Sequence, residues 1–519
     1  AEKSRARDEL SLAAIRKKKM SQSCGRDARV RYDFRNIFRR QEIDWLLIDL
    51  IKFDVCVVEL ATLVQFMIDS GYKDEPDYDE DDKPLLRRTT PVHQAFRESN
   101  RTIIPDLFKI YDRFDVNYTD ESGLSHFHVA CWSGCCEVVA KFLELGQDPN
   151  LLARESVDPP LHLALRDQNE VMLKLLLKNG ADQNSTNVDG MTALHVISET
   201  ICFDRFVEII FSVNEHRAVQ VDARDKLGRT PLQLAVANLL LNVLDVLLDR
   251  GADLSNFVFP TESHFADRFT QRRSKVLLGL DKIQLASETM QVVERLKKRG
   301  YQLDKSDAVT IMKTLIKHVL FDTVEDLEFW RCNEEFVSKA KELRMNSSLS
   351  LYDLIQLRPD KVKYQLSDTD YFKFATWNQW RKLPEGSRRA SITHLCETMW
   401  RGFFQEWALE SLLELTRHRL PILCCDIIIE KLMNEDLFVE LRASCASCCL
   451  CCYWKDGEHA TMSAAACRVW REHRVRIYIV QHSSRSTRTR GSRGRARLRD
   501  ALAIHTSRDA GARARGSIR

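Results

Sequence analysis

The apolar positions of this chain fall into one pattern that recurs five times. Its clearest copy is Asp225-Lys226-Leu227-Gly228-Arg229-Thr230-Pro231-Leu232-Gln233-Leu234-Ala235, then an apolar run from Val243 to Leu248, then Gly251-Ala252-Asp253. The position of Thr230 is taken by Thr90, Ser125, Pro159 and Thr192 in the other copies, so successive copies lie 35, 34, 33 and 38 residues apart. Each copy predicts a polar turn, a short helix and a second apolar helix. The Thr230 hydroxyl suits a helix cap, and Pro231 then takes the first helical position, where its missing N–H costs nothing. Leu232 and Ala235 share one helical face, and alanine is small enough for inner helices to stack closely. In the neighbouring copy, Val171, Leu175 and Leu176 predict the apolar face of the outer helix, and Gly180 its left-handed end. No copy can bury its apolar face alone, so the stack is the expected folding unit.

Helical periodicity extends beyond the copies. Residues 38–71 predict two apolar helices, the second, over residues 57–71, ending an atypical cap. Residues 74–82 form an acidic run around Pro76, expected to be a solvated loop. After Asn256 the pattern stops. Ser306 is the expected cap of a helix through Val309, Met312, Leu315, Ile316 and Val319, and further helices are predicted over residues 333–344, 350–357 and 391–416. Trp377, Trp380, Trp400, Phe403, Phe404 and Trp407 are dense here at a spacing that suits a helix core better than a ligand box.

A period near 33 residues with Thr-Pro-Leu-His-x-Ala resembles the ankyrin repeat, over about residues 90–256. The copies are uneven. One has Ser125-His126-Phe127-His128, one has lost its Thr at Pro159, and the copy from Thr192 has an irregular outer helix and an insertion near residues 213–221. The resemblance implies a solenoid that binds other proteins. Val188, Asp189, Lys226 and Leu227 are the candidate target-binding residues, because turn tips project and these positions vary between copies while cap and core positions recur. His128, His162 and His195 recur at one position. A metal ladder is one reading of that spacing. The better one is that each imidazole ties its repeat to the preceding turn by hydrogen bonds.

A second motif lies near the carboxyl end: Leu420-Pro421-Ile422-Leu423-Cys424-Cys425-Asp426-Ile427-Ile428-Ile429-Glu430-Lys431-Leu432, then Asn434-Glu435-Asp436-Leu437. Leu-Pro starts a helix. Ile427, Ile428 and Leu432 form its expected apolar stripe, residues 434–436 break it, and Leu437 starts another short helix. This looks like the first half of an F-box. Its position behind the repeats resembles the ankyrin-repeat proteins of poxviruses and some insects that end in a PRANC domain, over about residues 50–440. Ser350-Leu351-Tyr352-Asp353-Leu354-Ile355 and Arg401-Gly402-Phe403-Phe404 belong to the same likeness. It implies that the F-box-like end recruits a cullin-RING ubiquitin ligase through its adaptor. Leu420, Pro421, Ile427, Ile428, Leu432 and Leu437 are then adaptor-facing or packing residues.

Charge changes the picture only at the end of the chain. Of 519 residues, 78 are Lys or Arg and 75 Asp or Glu, a net charge of +3. Residues 445–519 hold 16 of the basic residues and 5 of the acidic ones, about +11, so the rest sums to about −8. The Arg/Ser/Gly stretch over residues 483–499 can attract nucleic acid by charge, but it lacks the interleaved aromatics of specific recognition. Cys445, Cys448, His459 and Cys467 have the residue types of a zinc site, yet the packed run Cys448-Cys449-Leu450-Cys451-Cys452 lacks paired knuckles. Clustered cysteines beside a membrane can be palmitoylated, but nothing supplies an amphipathic partner. The 16 cysteines are otherwise scattered among helical patterns, as in a reduced intracellular protein. The most apolar stretch, residues 43–58, contains Asp44, Asp49, Lys52 and Asp54, so no membrane span is expected. The first residues are charged and carry no apolar core of a secretory signal. No phosphate-binding loop, nucleophile elbow or His-Glu-x-x-His pair is present.

The expectation is therefore an all-α protein: an ankyrin-repeat solenoid followed by a helical domain with an F-box-like end. The expected parts are a basic segment (1–37), cap helices and acidic loop (38–89), repeats (90–256), a PRANC-like domain (257–443) with its motif at 420–437, and a tail (444–519). The expected function is a non-catalytic, intracellular adaptor without cofactor or metal, joining a target protein to a ligase. The alternative is an ankyrin scaffold or inhibitor with no ligase link.

Overall fold

A computed structural model describes residues 40–439 except 53–56, 154–156, 201–203, 214–217, 266–279, 321–329, 331, 347, 358–365, 367–369, 372, 374–379, 381 and 417. Its regular elements are helices, joined by turns with a few isolated bridges. The basic amino-terminal segment, Trp377, the cysteine cluster and the Arg-rich tail lie outside the described residues. The chain divides into two compact units, Ala1–Leu232 and Gln233–Arg519.

The first unit opens with α1 (Arg40–Lys52) and α2 (Val57–Asp69). Four helix pairs follow: α3 (Pro91–Arg97) with α4 (Ile104–Ile110), α5 (His126–Trp132) with α6 (Cys136–Glu144), α7 (Pro160–Arg166) with α8 (Glu170–Lys178), and α9 (Ala193–Glu199) with α10 (Asp204–Ser212). α1 packs on α3 and α2 on α4, so the first two helices take the place of a preceding repeat. Val92, Phe127, Leu161, Leu194 and Leu232 share one repeat position, and all are buried, as are Ala95, Ala130 and Ala164 one turn on. Burying one such aliphatic side chain is worth about 2 kcal/mol. Gly180 ends α8 at φ 90, where its own N–H and that of Ala181 reach back to Leu177 O and Leu176 O.

A buried ionic network that sequence periodicity did not announce ties the cap helices to the repeats. The Arg88 guanidinium bonds Asp44 through two nitrogens and lies 2.9 Å from Asp74 Oδ1. Tyr111 donates to Asp44 Oδ1 (2.5 Å) and Tyr118 to Asp74 Oδ2 (2.7 Å). Burial lifts the Asp44 carboxyl above its ordinary range, against the pull of Arg88.

The second unit contains α11 (Pro231–Ala237) from Gln233 on, α12 (Leu241–Asp249), α13 (Leu280–Lys298) and α14 (Lys305–Leu315), which runs into a π-helical turn, Ile316–Leu320. α15 (Glu334–Glu342), α16 (Leu351–Gln356), the long α17 (Glu385–Leu415) and α18 (Ile422–Ile429) follow, with a last helical segment over residues 434–439. α17 lies along α13, and the buried Trp400 donates from Nε1 to Ala286 O at 3.2 Å.

Three boundaries differ from expectation. Asp304, not Ser306, caps α14: its Oδ1 accepts from Asp307 N at 2.8 Å, and the Asp307 carboxylate accepts from Asp304 N in return. α17 begins six residues before the predicted 391, directly after Pro384. Residues 434–436 do not break the chain before Leu437 but form the first turn of the last helix, with Met433 N donating to the Asp436 carboxylate.

The repeat pattern also has an echo beyond Asn256. Thr261 and His264 reproduce the cap geometry of the earlier copies, with Thr261 N donating to His264 Nδ1 at 3.2 Å. α13 then ends at Gly300, whose φ of 96 matches that of the earlier helix-ending glycines. Glu262 and Ser263 stand where Pro and Leu belong, which hid this copy from an apolar pattern.

Candidate functional site

Three turns of the first unit are built by one device. In each of them an Asx residue opens the turn and its Oδ1 accepts two backbone N–H groups ahead of it. Asp120 takes Ser122 and Leu124, Asn187 takes Asp189 and Met191, and Asp225 takes Leu227 and Arg229, at 2.8–3.0 Å. Burial works against the Asp225 carboxylate, but the Arg229 backbone and guanidinium outweigh it and hold its pKa below the ordinary range. The tips are linked, since Lys226 N donates to Asp189 O at 2.9 Å. Gly190 makes this close approach possible: at φ 74, a Cβ there would stand 3.0 Å from Lys226 N. Val188, Asp189, Lys226 and Leu227 are all exposed, Leu227 by 75%.

The recurring histidines are structural, but they bond in the opposite direction from that expected. Each Nδ1 accepts from the backbone N–H of its own cap residue, Thr90, Ser125 or Thr192. Each Nε2 then donates to the carbonyl of the following turn: His93 to Tyr118, His128 to Leu151 and His195 to Arg229, at 3.0–3.3 Å. Gln233 holds the same position in the next copy and likewise reaches Val258 O at 2.8 Å. Burial keeps these rings neutral, pushing His93 and His128 down to about 4. His162 is the exception: Pro159 supplies neither hydroxyl nor N–H to its Nδ1, and neither ring nitrogen meets a partner within hydrogen-bond geometry, although the Ser185 backbone is near enough to raise its pKa against burial.

One side chain not singled out by the repeat pattern stands at the end of an inner helix. Half-buried Trp132 replaces the Arg, Arg, Glu and Ala of the equivalent positions, rests edge-on against Phe96 and carries Arg101 over its ring at 4.2 Å. Arg101 is in turn paired with Asp167.

The Leu-Pro motif is divided by the fold. Of its six candidate residues, Ile428, Leu432 and Leu437 are buried within the chain, Leu420 is half-buried, and Pro421 and Ile427 are exposed. Ile427 and Ile428 therefore do not share a stripe: neighbours on a helix lie about 100° apart. The exposed apolar face is Ile422 (59%), Leu423 (76%) and Ile427 (41%), with Met433 and Val439 exposed just beyond. The opposite face, with Cys425, Ile428 and Ile429, is buried, and α18 packs on α17. Contiguous exposed apolar side chains of this kind mark interaction surfaces.

Among the described residues no group of three or more His, Cys, Asp or Glu side chains is placed to hold a metal ion. None of the described helices is long and apolar enough to cross a membrane.

Capped inner helices, Asx-built tips and a ladder of cap-to-turn side chains define an all-α protein with ankyrin repeats. A family model for ankyrin repeats, three copies, matches residues 161–257. Among known proteins, the B-cell lymphoma 3 protein homolog of Mus musculus is 30% identical over 174 residues, 32% of this chain and 37% of that protein. An ankyrin repeat protein of Fowlpox virus (strain NVSL) is 27% identical over 128 residues, 24% of this chain and 37% of the relative. A palmitoyltransferase of Kluyveromyces lactis is 28% identical over 177 residues, 33% of this chain and 23% of that enzyme. The chain thus spans well under half the length of the relatives it matches.

Proposed function

We propose that this chain is a non-catalytic, intracellular adaptor in which the ankyrin repeats hold a target protein and the Leu-Pro end recruits a cullin-RING ubiquitin ligase through its adaptor subunit. Protein binding is what ankyrin repeats support. The ligase link rests on one observation: α18 keeps one apolar face exposed, Ile422-Leu423-Ile427, while its other face is packed on α17. A helix laying such a face into a partner's groove is a recurrent mode of recognition. On the repeat side, Val188, Asp189, Lys226 and Leu227 present two apolar and two charged side chains from linked, rigid turns. Of the six motif residues, Ile427 is then the adaptor-facing anchor, Pro421 sets where the helix begins, Leu420 borders the face, and Ile428, Leu432 and Leu437 are packing residues. No specific nucleic acid, membrane, metal or cofactor is required.

The second reading is an ankyrin scaffold or inhibitor without a ligase. It is favoured by the burial of Ile428, Leu432 and Leu437, which makes half of the motif ordinary core. Co-purification separates the two. The full chain carrying Leu423→Lys and Ile427→Lys is expected to lose a cullin-ligase adaptor that the unmodified chain retains, because two charges would be desolvated at the contact. An unmodified chain that retains no adaptor leaves the scaffold reading.

A further inference from the structure

α18 is eight residues long, Ile422-Leu423-Cys424-Cys425-Asp426-Ile427-Ile428-Ile429, and only Asp426 is polar. Two things follow. A helix this short is not stable by itself. Nor does an almost wholly apolar sequence choose which of its faces to bury, since a rotation by one residue, about 100°, would exchange Ile427 for Ile428 at no cost in hydrophobicity. The choice of outward face has to come from polar contacts with fixed geometry.

Those contacts come from one side chain of α17. Arg401 is buried, 8% exposed, and its guanidinium reaches the carboxyl end of α18. Nη2 donates to Ile429 O at 2.8 Å and to Glu430 O at 3.3 Å, while Nη1 donates to Asn434 Oδ1 at 3.2 Å. Asn434, fully buried, closes the loop by donating from Nδ2 to Glu397 O, one turn back along α17, at 3.0 Å. The last carbonyls of a helix have no partner of their own and attract a cation. A planar guanidinium aimed at three acceptors fixes rotation as well as position, which a single ammonium cannot do.

We propose that Arg401, with Asn434, is the positioning residue of the docking face: it grips α18 by its carboxyl end so that Leu423 and Ile427 point outward. This rests on the adaptor reading for what docks there, but the grip itself does not. The recognition face is then preformed rather than assembled on binding.

The test uses the full chain with Arg401→Met, Arg401→Lys and Asn434→Ala. Hydrogen exchange is followed in peptides covering residues 420–432, 280–298 and 126–178, and affinity for purified cullin-ligase adaptor subunits is measured alongside. Arg401→Met is expected to raise exchange at least tenfold in 420–432 only, and to weaken adaptor binding at least tenfold. Arg401→Lys should recover part of both, and Asn434→Ala should fall between. Unchanged exchange in 420–432 in both Arg401→Met and Asn434→Ala overturns the grip. A rise spread equally over 280–298 also overturns it, because Arg401 would then be general core. If Arg401→Met loses its helical circular dichroism, Asn434→Ala alone decides. Absence of adaptor binding by the unmodified chain overturns the adaptor reading and the docking role with it, while the exchange data still decide the grip.

Discussion

Pro159 shows how much one residue of the repeat controls. In the copies from Thr90, Ser125 and Thr192, the Thr or Ser places its hydroxyl beside the His three residues on and gives that ring a backbone N–H to accept. At Pro159 both are gone, and the buried His162 Nδ1 is left without the partner it has in those copies. Pro159→Thr restores a cap and satisfies a buried nitrogen, worth about 1–3 kcal/mol together, against about 0.4–1 kcal/mol lost by freeing the unfolded chain. The expected result is a net gain of about 1 kcal/mol in a denaturant titration; a loss would mean that His162 is satisfied in some other way. The cap and core positions of the inner helices were legible in the sequence because residue type specifies them, whereas Val171, expected with Leu175 and Leu176 on the apolar face of the outer helix, is 66% exposed. Leu232, 1% exposed, is such a position, and Leu232→Asp is expected to unfold the stack around it, seen as a collapse of the thermal transition. The direction in which each His bonds was not legible, because a fixed period places a ring equally close to the turns before and after it.

At the scale of elements, the outcome depends on neighbours that a local pattern does not contain. The Leu-Pro helix was legible as a helix from Pro421 onward. Its outward face was not, since all three isoleucines look alike and only α17 decides that Ile428 faces in. Ile428→Lys is therefore expected to destabilise the second unit by several kcal/mol, whereas Ile427→Lys leaves the melting temperature near that of the unmodified chain. Equal effects on stability would show that both isoleucines are core. The cap helices make the same point from the other end. Two apolar helices were readable, but Arg88 lay in an unremarkable charged stretch, and only the fold brings Asp44 and Asp74 to it. Removing one partner of a buried pair costs about 3–5 kcal/mol, so Arg88→Ala should expose residues 43–69 to hydrogen exchange while residues 160–178 stay protected.

For the whole molecule, the two units are expected to answer acid in opposite senses. His93, His128 and His162 are held down at about 4 by burial, so between their ordinary value and about 4 the unfolded chain binds protons that the folded chain does not. Stability of the first unit then falls as pH drops below about 6.5, by up to about 1.4 kcal/mol per pH unit for each ring. Glu397, in the second unit, is lifted by burial to about 7. It binds its proton earlier when folded, so its contribution rises as pH falls from about 7 to about 4.5. Exchange protection at about pH 7 and about pH 5, corrected for intrinsic rates, should fall in residues 126–178 and hold or rise in residues 385–415.

The ligase link proposed for the Leu-Pro end is tested most directly by the affinity of the full chain for purified cullin-ligase adaptor subunits, compared between the unmodified chain and the Leu423→Lys, Ile427→Lys double variant. The expected result is micromolar or tighter binding that falls at least a hundredfold in the variant with its melting temperature unchanged, about 2.7 kcal/mol. Binding that survives the two lysines, or no binding by the unmodified chain, would contradict it.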